Sequence, residues 1–341
     1  MQKLSLESQL GIMLITYNRA SYLKKTFAYL QKTPFINCSI TVFDNHSTDE
    51  TSQVCEEVLQ ENIFKNMKVV RLPQNIGGNA NILHALQSAE FNYTWILCDD
   101  DYIEPDGWED VIEEICQGEV QSILLNVIIT HKEKKWPQWN GKHFTLEDLV
   151  VRHNFYLYAL GFLPCTINRL DFIRKNIAEA AMFCGFSFPH LAMHILADKN
   201  TRYYCTKNYL LLRGRDEECK NFYYPLNLYF ARLCQLLEDR KMRRYAVAQT
   251  WRAYGYKTPL RLWSAEILLL GSRYHYNFSK KFVYIAEMFL FSNWLGRFCI
   301  LLLFPLIFFP DAFVPMLYYV IKRKKLNHHS YLEQAVRRGR V

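Results

Sequence analysis

The stretch YTWILCDDDYIEPDGW, residues 93–108, decides the fold class of this 341-residue chain. An apolar run over residues 93–98 has the length and composition of a buried β-strand. Three adjacent aspartates, Asp99, Asp100 and Asp101, come directly after it. Neighbouring carboxylates repel each other, and folding alone does not require three of them. We therefore interpret the three aspartates as residues that serve the function of the protein at the end of a strand.

Strand and helix patterns alternate on both sides of this stretch. Buried-strand runs at residues 10–17, 38–44, 67–72 and 121–130 are separated by segments with helical spacing of apolar residues. Alternation at this pitch predicts an α/β fold, with a mostly parallel, Rossmann-like sheet flanked by helices. Ligands of such sheets bind beyond the carboxyl ends of the strands.

Polar residues come after four of the predicted strands, at the point where each strand ends. They are Thr16, Tyr17 and Arg19 after the first, Asp44, Asn45 and Ser47 after the second, Asn75 and Gly77 after the third, and the aspartate triplet after the fourth. Each taken singly has a structural explanation, because serine caps helices and glycine turns the chain. Their joint occurrence along one edge of a sheet predicts a ligand site.

The aspartate triplet has the character of a divalent-metal site. Clustered carboxylates raise each other's pKa unless a cation neutralises them, and oxygen ligands suit Mn²⁺ or Mg²⁺. In an extended segment Asp99 and Asp101 point to the same side and would share one ion, whereas Asp100 points the other way. We expect an ion held there to clamp a diphosphate and to stabilise the charge that builds on it as it leaves.

Taken in order, these motifs resemble those of the family-2 glycosyltransferases with the GT-A fold. TYNR, DNHSTDET, NIGGNAN and DDD come after the four strands at the family's approximate spacing, over about residues 9–130. The sequence CDDDY and the residues after it look most like the branch that decorates bacterial cell-surface polysaccharides, such as O-antigen or capsule transferases. The resemblance implies a nucleotide-sugar donor, a divalent metal and inversion at the anomeric carbon.

The resemblance also implies roles for individual residues, all within one donor site. The residues near the base and ribose would be Thr16, Tyr17 and Arg19; Asp44, in one motif with Asn45 and Ser47, would accept a hydrogen bond from the nucleobase. The floor under the nucleotide would be shaped by Asn75 and Gly77. Asp99, beside Asp100, would contact the ribose or a metal-bound water, and Asp101, with Asp99, would bind the metal. The expected cofactor is Mn²⁺ or Mg²⁺.

Inverting transfer also needs a general base that takes a proton from the acceptor hydroxyl. In the family this is usually an aspartate, often in a Glu-Asp pair, at the start of a helix well past the metal motif. Here the corresponding stretch is CGFSFPHLAMHILADK, residues 184–199, and Pro189 and His190 stand where Glu-Asp is expected. Two interpretations of His190 stay open: it is the base, or it lines the acceptor groove without taking a proton. Asp198 is the second candidate for the base.

The C-terminal third turns helical and then strongly apolar. Residues 298–321 carry a single charge and are long enough to span a bilayer, but three prolines interrupt them. From Lys322 onward there are seven Lys or Arg and one acid. A single crossing would send this basic tail outward, against the positive-inside rule. We therefore expect a broken helical hairpin that dips into the inner leaflet, with a helix pair docked on the domain as the alternative.

These patterns predict three parts. A GT-A catalytic domain covers residues 1–218, with a nucleotide-sugar half at 1–130 and an acceptor half at 131–218. A helical extension covers 219–285, and membrane-associating apolar helices with the basic tail form an appendage at 286–341.

Charge and cysteine content indicate where the protein works. The tail contributes +6 of the net charge of +8, so the excess is not spread over a domain face as in nucleic-acid binders. Ten cysteines without CxxC spacing, and no signal-like N-terminus, indicate a reducing compartment. We expect a peripheral or monotopic protein on the cytoplasmic face of the bacterial inner membrane. Its partners would be phospholipid and a glycan or lipid-linked glycan acceptor.

The main prediction is a metal-dependent inverting glycosyltransferase of bacterial surface polysaccharide synthesis, and two other functions fit parts of the pattern. A sugar nucleotidyltransferase would need a Gly-rich, Arg-containing loop after the first strand, and TYNRASY has no glycine. A non-catalytic nucleotide-sugar-binding or scaffold subunit of a polysaccharide assembly complex is favoured by the missing Glu-Asp pair. The intact aspartate triplet speaks against that subunit.

Overall fold

The computed structural model divides into two compact units, Met1–Asp216 and Glu217–Val341. It describes residues 5–129, 134–136, 141–153, 157–182, 189–213, 233–234, 236–253, 278–291 and 294–308. The predicted division into a catalytic domain (1–218), a helical extension (219–285) and a membrane-associating appendage (286–341) stays a prediction.

Ten strands form one sheet among the described residues of the first unit. In chain order they are β1 (Leu10–Thr16), β2 (Ser39–Asp44), β3 (Met67–Arg71), β4 (Tyr93–Cys98), β5 (Tyr102–Ile103), β6 (Ser122–Ile129), β7 (Lys134–Trp136), β8 (Lys142–Thr145), β9 (Thr166–Arg169) and β10 (Arg202–Arg213). The hydrogen-bonded order is β3-β2-β1-β4-β9-β6-β10-β5, with β7 beside β6 and β8 beside β10.

Helices flank this sheet and make up the described part of the second unit. The first unit contains α1 (Leu6–Gln9), α2 (Ala20–Leu30), α3 (Thr51–Gln60), α4 (Gly78–Gln87), α5 (Glu109–Gln117), α6 (Leu170–Ala181) and α7 (Pro189–Ile195). The second unit contains α8 (Arg240–Ala253), α9 (Phe278–Phe291) and α10 (Trp294–Leu303). Short 3₁₀ turns lie at Leu157–Gly161, Leu163–Cys165 and Phe304–Phe308, and a π-helical turn at Asp148–Arg152.

The sheet is mostly parallel, which confirms the predicted fold class. Strands β1 to β4 are parallel to one another, and β6 is parallel to β10. Strand β9 lies antiparallel between β4 and β6 and separates the fourth and fifth predicted strands. Its four residues, TINR, are too few for a period-two pattern to stand out in the sequence.

The core beneath the aspartate triplet is aromatic. The Trp95 ring on β4 meets Phe35 edge-on, with ring centres 5.4 Å apart, and Trp108 at a tilt, with ring centres 5.3 Å apart, and all three side chains are buried. The two indole N–H groups donate to main-chain carbonyls, Trp95 to Pro164 at 2.8 Å and Trp108 to Glu104 at 2.7 Å. Because Trp108 directly precedes α5, this cluster fixes the strand before the triplet and the helix after it.

Parallel register brings the strand ends to one edge of the sheet. Thr16 at the end of β1 pairs with Asp44 at the end of β2, and Asp44 pairs with Arg71 at the end of β3. On the other side of β1, Ile15 pairs with Cys98 at the end of β4. The polar residues just beyond these strands therefore meet at the carboxyl edge.

Helices α9 and α10 of the second unit carry an unusually apolar exposed surface. Side chains that are about half exposed or more are Phe278, Phe282, Val283, Leu290, Trp294, Phe298, Leu301, Leu302 and, in the turn after α10, Phe308. Within the described ranges, no helix has both the length and the apolarity that a membrane crossing requires. Residues 309–321 of the predicted hairpin, and the basic tail, lie outside the described residues.

Candidate active site

Asp99 is held inside the protein rather than presented to solvent. Its side chain accepts hydrogen bonds from Thr16 Oγ1 at Oδ2 (2.7 Å) and from Arg19 Nη1 at Oδ1 (3.3 Å). Thr26 Oγ1 on α2 donates to its main-chain carbonyl at 3.0 Å. Burial raises the pKa of Asp99 to about 7, against the opposing effect of the Arg19 charge. Asp99 therefore ties β4 to β1 and α2 behind the site.

Asp100 forms the stronger pair with Arg19. Arg19 Nη1 lies 2.7 Å from Asp100 Oδ2, and both side chains are about one-fifth exposed. The Arg19 guanidinium carbon also lies 5.4 Å from the centre of the Tyr22 ring, at cation–π distance. The structure thus places Arg19 against the aspartates, whereas the resemblance implied a position near the base and ribose.

The aspartate triplet does not continue β4. Asp99 and Asp100 form a turn, so the extended backbone assumed for the triplet is not present, and the sharing of one ion by Asp99 and Asp101 stays a prediction. Cys98, Asp100 and Asp101 instead bring one sulfur and two carboxylate oxygens within 4.8 Å of one another. Asp101 is buried, with 6 % of its surface exposed.

The two carboxylates of this cluster fit a hard divalent ion. Asp100 and Asp101 offer oxygen ligands, which Mg²⁺ and Mn²⁺ prefer. The Cys98 sulfur is a soft ligand, whereas Mg²⁺ and Mn²⁺ select oxygen, and burial followed by the charge of Asp101 raises the pKa of this thiol well above its ordinary value. Asp100 and Asp101 are therefore the residues that would hold the ion.

Asp44 organises the loop after β2. Its Oδ1 accepts the Ser47 main-chain N–H at 2.9 Å, and the carboxylate is almost fully buried. Arg71, whose Nε is 3.8 Å from Asp44 Oδ2, closes this arrangement by donating to Ser52 Oγ at 2.7 Å and to the Ser47 carbonyl at 2.8 Å. The nucleobase contact implied for Asp44 stays a prediction, and the half-exposed Arg71 adds a cation beside it.

Asn45 and Asn75 join the loops after β2 and β3. Asn45 Nδ2 donates to Asn75 Oδ1 at 2.9 Å, and Asn45 Oδ1 accepts the Ile76 N–H at 3.0 Å. The Gly77 N–H donates to Asn75 Oδ1 at 2.8 Å. Gly77 has a φ of +87°, which favours glycine, and it leads directly into α4. This network forms a rigid loop at the place where the resemblance implies the floor under the nucleotide.

The loop after β1 is locked to the loop after β2 by Asn18. Asn18 has a left-handed backbone (φ 51°); its N–H donates to Ser47 Oγ at 2.9 Å, and its Oδ1 accepts the Thr48 N–H at 2.7 Å. Neighbouring Tyr17 stays 42 % exposed. An exposed ring on a fixed loop suits stacking on a nucleobase, which is the position that the resemblance implies for Tyr17.

Four residues of this site had no predicted role: Asn18, Thr26, Arg71 and Cys98. Arg71 carried a usable signal, because it is the charged residue that ends the third predicted strand. The contact of Thr26 with Asp99 joins residues 73 positions apart, and no local pattern encodes it.

His190 is a buried residue at the start of α7, with 2 % of its surface exposed. Its Nε2 lies 3.1 Å from the Gly161 carbonyl oxygen, and burial lowers its pKa to about 4. The ring is therefore neutral at physiological pH but weakly basic, and its burial limits access by an acceptor. These features favour a packing role, and the role of His190 as base stays a prediction.

Asp198 lies at the opposite edge of the sheet from the aspartate triplet. It precedes β10, where it accepts N–H groups from Asn200 (2.7 Å, at Oδ1) and Thr201 (2.9 Å, at the main-chain carbonyl). Strand β10 runs parallel to β6 and, through antiparallel β9, in the same direction as β4. Asp198 is thus at an amino end and the triplet at a carboxyl end, which argues against Asp198 as the base, and this assignment stays a prediction.

Together, the mostly parallel sheet, the carboxylate cluster and the three joined loops after β1, β2 and β3 form an α/β domain with a candidate ligand site at its carboxyl edge. The profile of the family described as Glycosyl transferase family 2 matches residues 12–178, which run from β1 to α6. Residues 12–178 thus form a family-2 glycosyltransferase domain, as the motifs predicted, and the protein is an enzyme of the glycosyltransferase class. No curated protein matches the sequence significantly.

Solved structures share this fold. The crystal structure of S. aureus TarS 1–349 in complex with UDP has a TM-score of 0.58 and 18 % identity, over 97 % of this chain and 91 % of that one. Its complex with UDP-GlcNAc has a TM-score of 0.59 at the same identity and coverage. The mannosyltransferase PcManGT from Pyrobaculum calidifontis, in complex with GDP-Man and Mn²⁺, has a TM-score of 0.53 and 10 % identity, over 97 % and 86 % of the two chains. At such identities the similarity shows the fold alone.

Proposed function

We propose that this glycosyltransferase takes its sugar from a nucleoside-diphosphate donor and uses a divalent ion held by Asp100 and Asp101. The observation that carries the proposal is the pair of adjacent carboxylates at the carboxyl edge of a family-2 domain. Structures of the same fold that contain UDP, UDP-GlcNAc, or GDP-Man with Mn²⁺ support the choice of donor and metal.

Different residues around this pair contact different parts of the donor. The ion, when bound, supplies positive charge to the diphosphate. Arg19 adds a second positive charge next to it, and the loop of Asn45 and Asn75 supports the nucleotide from below. Tyr17 and Arg71 are exposed enough to contact the base and ribose.

We further propose that transfer inverts the anomeric carbon and that the acceptor is a glycan carried on a lipid. Inversion is supported by the family resemblance. The lipid carrier is supported by the apolar surface of α9 and α10, since exposed apolar patches of this extent mark interaction sites. An enzyme docked on a membrane searches for a lipid-linked acceptor in two dimensions.

The partner proposed for the α9–α10 surface is the anionic phospholipid of the bacterial inner membrane, at its cytoplasmic face. Trp294 and Phe298 are among the most exposed apolar residues, and Arg297 lies between them on the same helix. Aromatic and basic residues side by side are typical of helices that lie in the plane of a membrane surface. Such a location fits the synthesis of a surface polysaccharide of the O-antigen or capsule type.

A thermal-shift screen tests the donor proposal. UDP-, GDP-, dTDP- and CDP-sugars are added with Mn²⁺ or with EDTA, because a ligand of the folded state raises its apparent stability. We expect one nucleotide class to raise Tm with Mn²⁺ and much less with EDTA. The Asp101→Asn variant should lose the Mn²⁺-dependent part. Absence of a shift with every donor in the presence of Mn²⁺ would contradict the proposal.

A further inference from the structure

The Asp100 carboxylate takes part in two arrangements that compete for its negative charge. It contributes an oxygen to the cluster with Asp101. Its Oδ2 also accepts a hydrogen bond from Arg19 Nη1 at 2.7 Å, and the same nitrogen lies 3.3 Å from Asp99 Oδ1. Arg19 thus supplies the positive charge between two of the three aspartates.

Distance limits how well a divalent ion and Arg19 can share Asp100. Such an ion binds a carboxylate oxygen at about 2.1 Å, so an ion on the oxygen that Arg19 contacts would lie within about 5 Å of the guanidinium nitrogen. Both side chains are about one-fifth exposed, so water and salt screen their charges incompletely. The two positive charges repel each other, and binding of the ion weakens the Arg19–Asp100 pair.

We infer that Arg19 is the resident counter-cation of Asp100 and that it makes metal binding depend on donor binding. The inference rests on the proposed function, because it needs a diphosphate donor. The Arg19 main chain is fixed, with its N–H donating to Thr51 Oγ1 at 3.1 Å, so only its side chain has to move.

The donor offers Arg19 another partner. A diphosphate presents the guanidinium with the paired oxygens that arginine prefers, so its arrival draws Arg19 away and leaves Asp100 to the ion. Metal and donor then bind with positive coupling, and each strengthens the binding of the other by the same factor.

Manganese titrations of the full chain test this inference. The free ion is followed by electron paramagnetic resonance, first with Mn²⁺ alone and then with Mn²⁺ and either UDP or GDP. Arg19→Met removes the counter-cation, so it should bind Mn²⁺ alone at least about fivefold more tightly than the wild type. The gain in Mn²⁺ affinity that the nucleotide brings should be smaller in this variant than in the wild type, because only direct contact between the ion and the diphosphate remains. Arg19→Lys retains the charge and should keep the weak binding.

Arg152→Met is the matched control, because Arg152 pairs with Asp148 at 3.0 Å through a largely exposed side chain outside the site. It should leave Mn²⁺ affinity unchanged. Thermal unfolding checks that each variant is folded, and Arg19→Gln provides a second neutral variant. Equal Mn²⁺ affinity in Arg19→Met and the wild type, with binding lost in Asp101→Asn, would overturn the role of Arg19 and leave the metal proposal intact. Absence of Mn²⁺ binding in every form, with or without nucleotide, would overturn both.

Discussion

Asp99 and Asp101 show how two identical residues, two positions apart, acquire different tasks. Asp99 has both carboxylate oxygens engaged, one by Thr16 and one by Arg19. Asp101 belongs instead to the group of ligand atoms that Asp100 completes. The two side chains therefore differ in what they contact and not in their chemistry.

Asp101→Asn should therefore weaken Mn²⁺-dependent donor binding and turnover by about two orders of magnitude, as removal of one charged group from a catalytic site does. Asp99→Asn should retain Mn²⁺ binding, because its side chain is not part of the cluster. Isothermal titration with Mn²⁺ and turnover assays compare the two variants. A larger loss of metal affinity in Asp99→Asn than in Asp101→Asn would instead support Asp99 as a metal ligand, as the sequence predicted.

His190→Gln distinguishes the two roles of His190. A general base contributes about 10²- to 10⁴-fold to turnover, so its loss would show in kcat with donor binding unchanged. Because His190 is buried against the Gly161 carbonyl, we expect a lower Tm and a kcat that changes by less than this range. A drop in kcat of a hundredfold or more in a folded variant would establish His190 as the base.

At the scale of elements, hydrogen bonds join the loops after β1, β2 and β3 to one another. The Asn45–Asn75 contact joins two of them, and Gly77 supplies the backbone conformation that lets the second loop enter α4. Gly78, the first residue of α4, has no positive φ and open space around the position of a Cβ atom. The two neighbouring glycines thus differ in how much they constrain the chain.

Gly77→Ala should lower the free energy of unfolding by about 1 kcal/mol, because an alanine is strained at its φ of +87°. It should also weaken donor binding by disturbing the loop under the nucleotide. Gly78→Ala is the matched control and should be neutral or slightly stabilising, since alanine favours helix formation. Denaturant unfolding and the donor-induced shift in Tm measure both effects. An equal effect of the two substitutions would contradict the role of Gly77.

Helix α10 provides a second prediction at this scale. Trp294→Glu combined with Phe298→Glu should reduce sedimentation with phosphatidylglycerol-containing vesicles by about tenfold, because two large apolar side chains no longer enter the bilayer surface. Met182→Glu, at an exposed apolar side chain of the first unit, should leave sedimentation unchanged. An unchanged vesicle-bound fraction in the double variant would exclude α10 as the membrane contact.

At the scale of the whole molecule, buried titratable groups make stability depend on pH. Burial lowers the pKa of His190 to about 4 and that of His194 to about 3, and it raises that of Asp99 to about 7. Between pH 4 and 6.5 the unfolded chain protonates two histidines that the folded protein leaves neutral. The folded protein in turn holds one proton, on Asp99, that the unfolded chain loses.

Unfolding therefore takes up one net proton, because the two histidines gain two and Asp99 releases one. The free energy of unfolding should fall by about 1 kcal/mol for each pH unit from 6.5 towards 4. His194→Gln should flatten this dependence, and Asp99→Asn should steepen it by removing the opposing term. Chemical denaturation at several pH values within this window measures the slope. Stability that rises as the pH falls through this window would contradict the burial of the histidines.

Local sequence determined the parallel half of this protein and its strand-end motifs. Runs such as LGIMLIT are apolar throughout because a central parallel strand is covered on both faces, so β1 to β4 and the residues at their ends can be read without a structure. The family was evident from the order of those ends. The contacts within the site were not, because side-chain direction depends on the turn at Asp99 and Asp100.

Only the tertiary structure decided which aspartate pairs with Arg19, that His190 is buried, and that Asp198 lies at the far edge. Each of these depends on pairings between distant segments. The short strand β9 inserts between β4 and β6, and Thr26 reaches Asp99 across 73 positions. Local sequence shows which residues are apolar and where strands end. The contacts that a side chain makes with distant residues depend on how the strands pair, and therefore on long-range register.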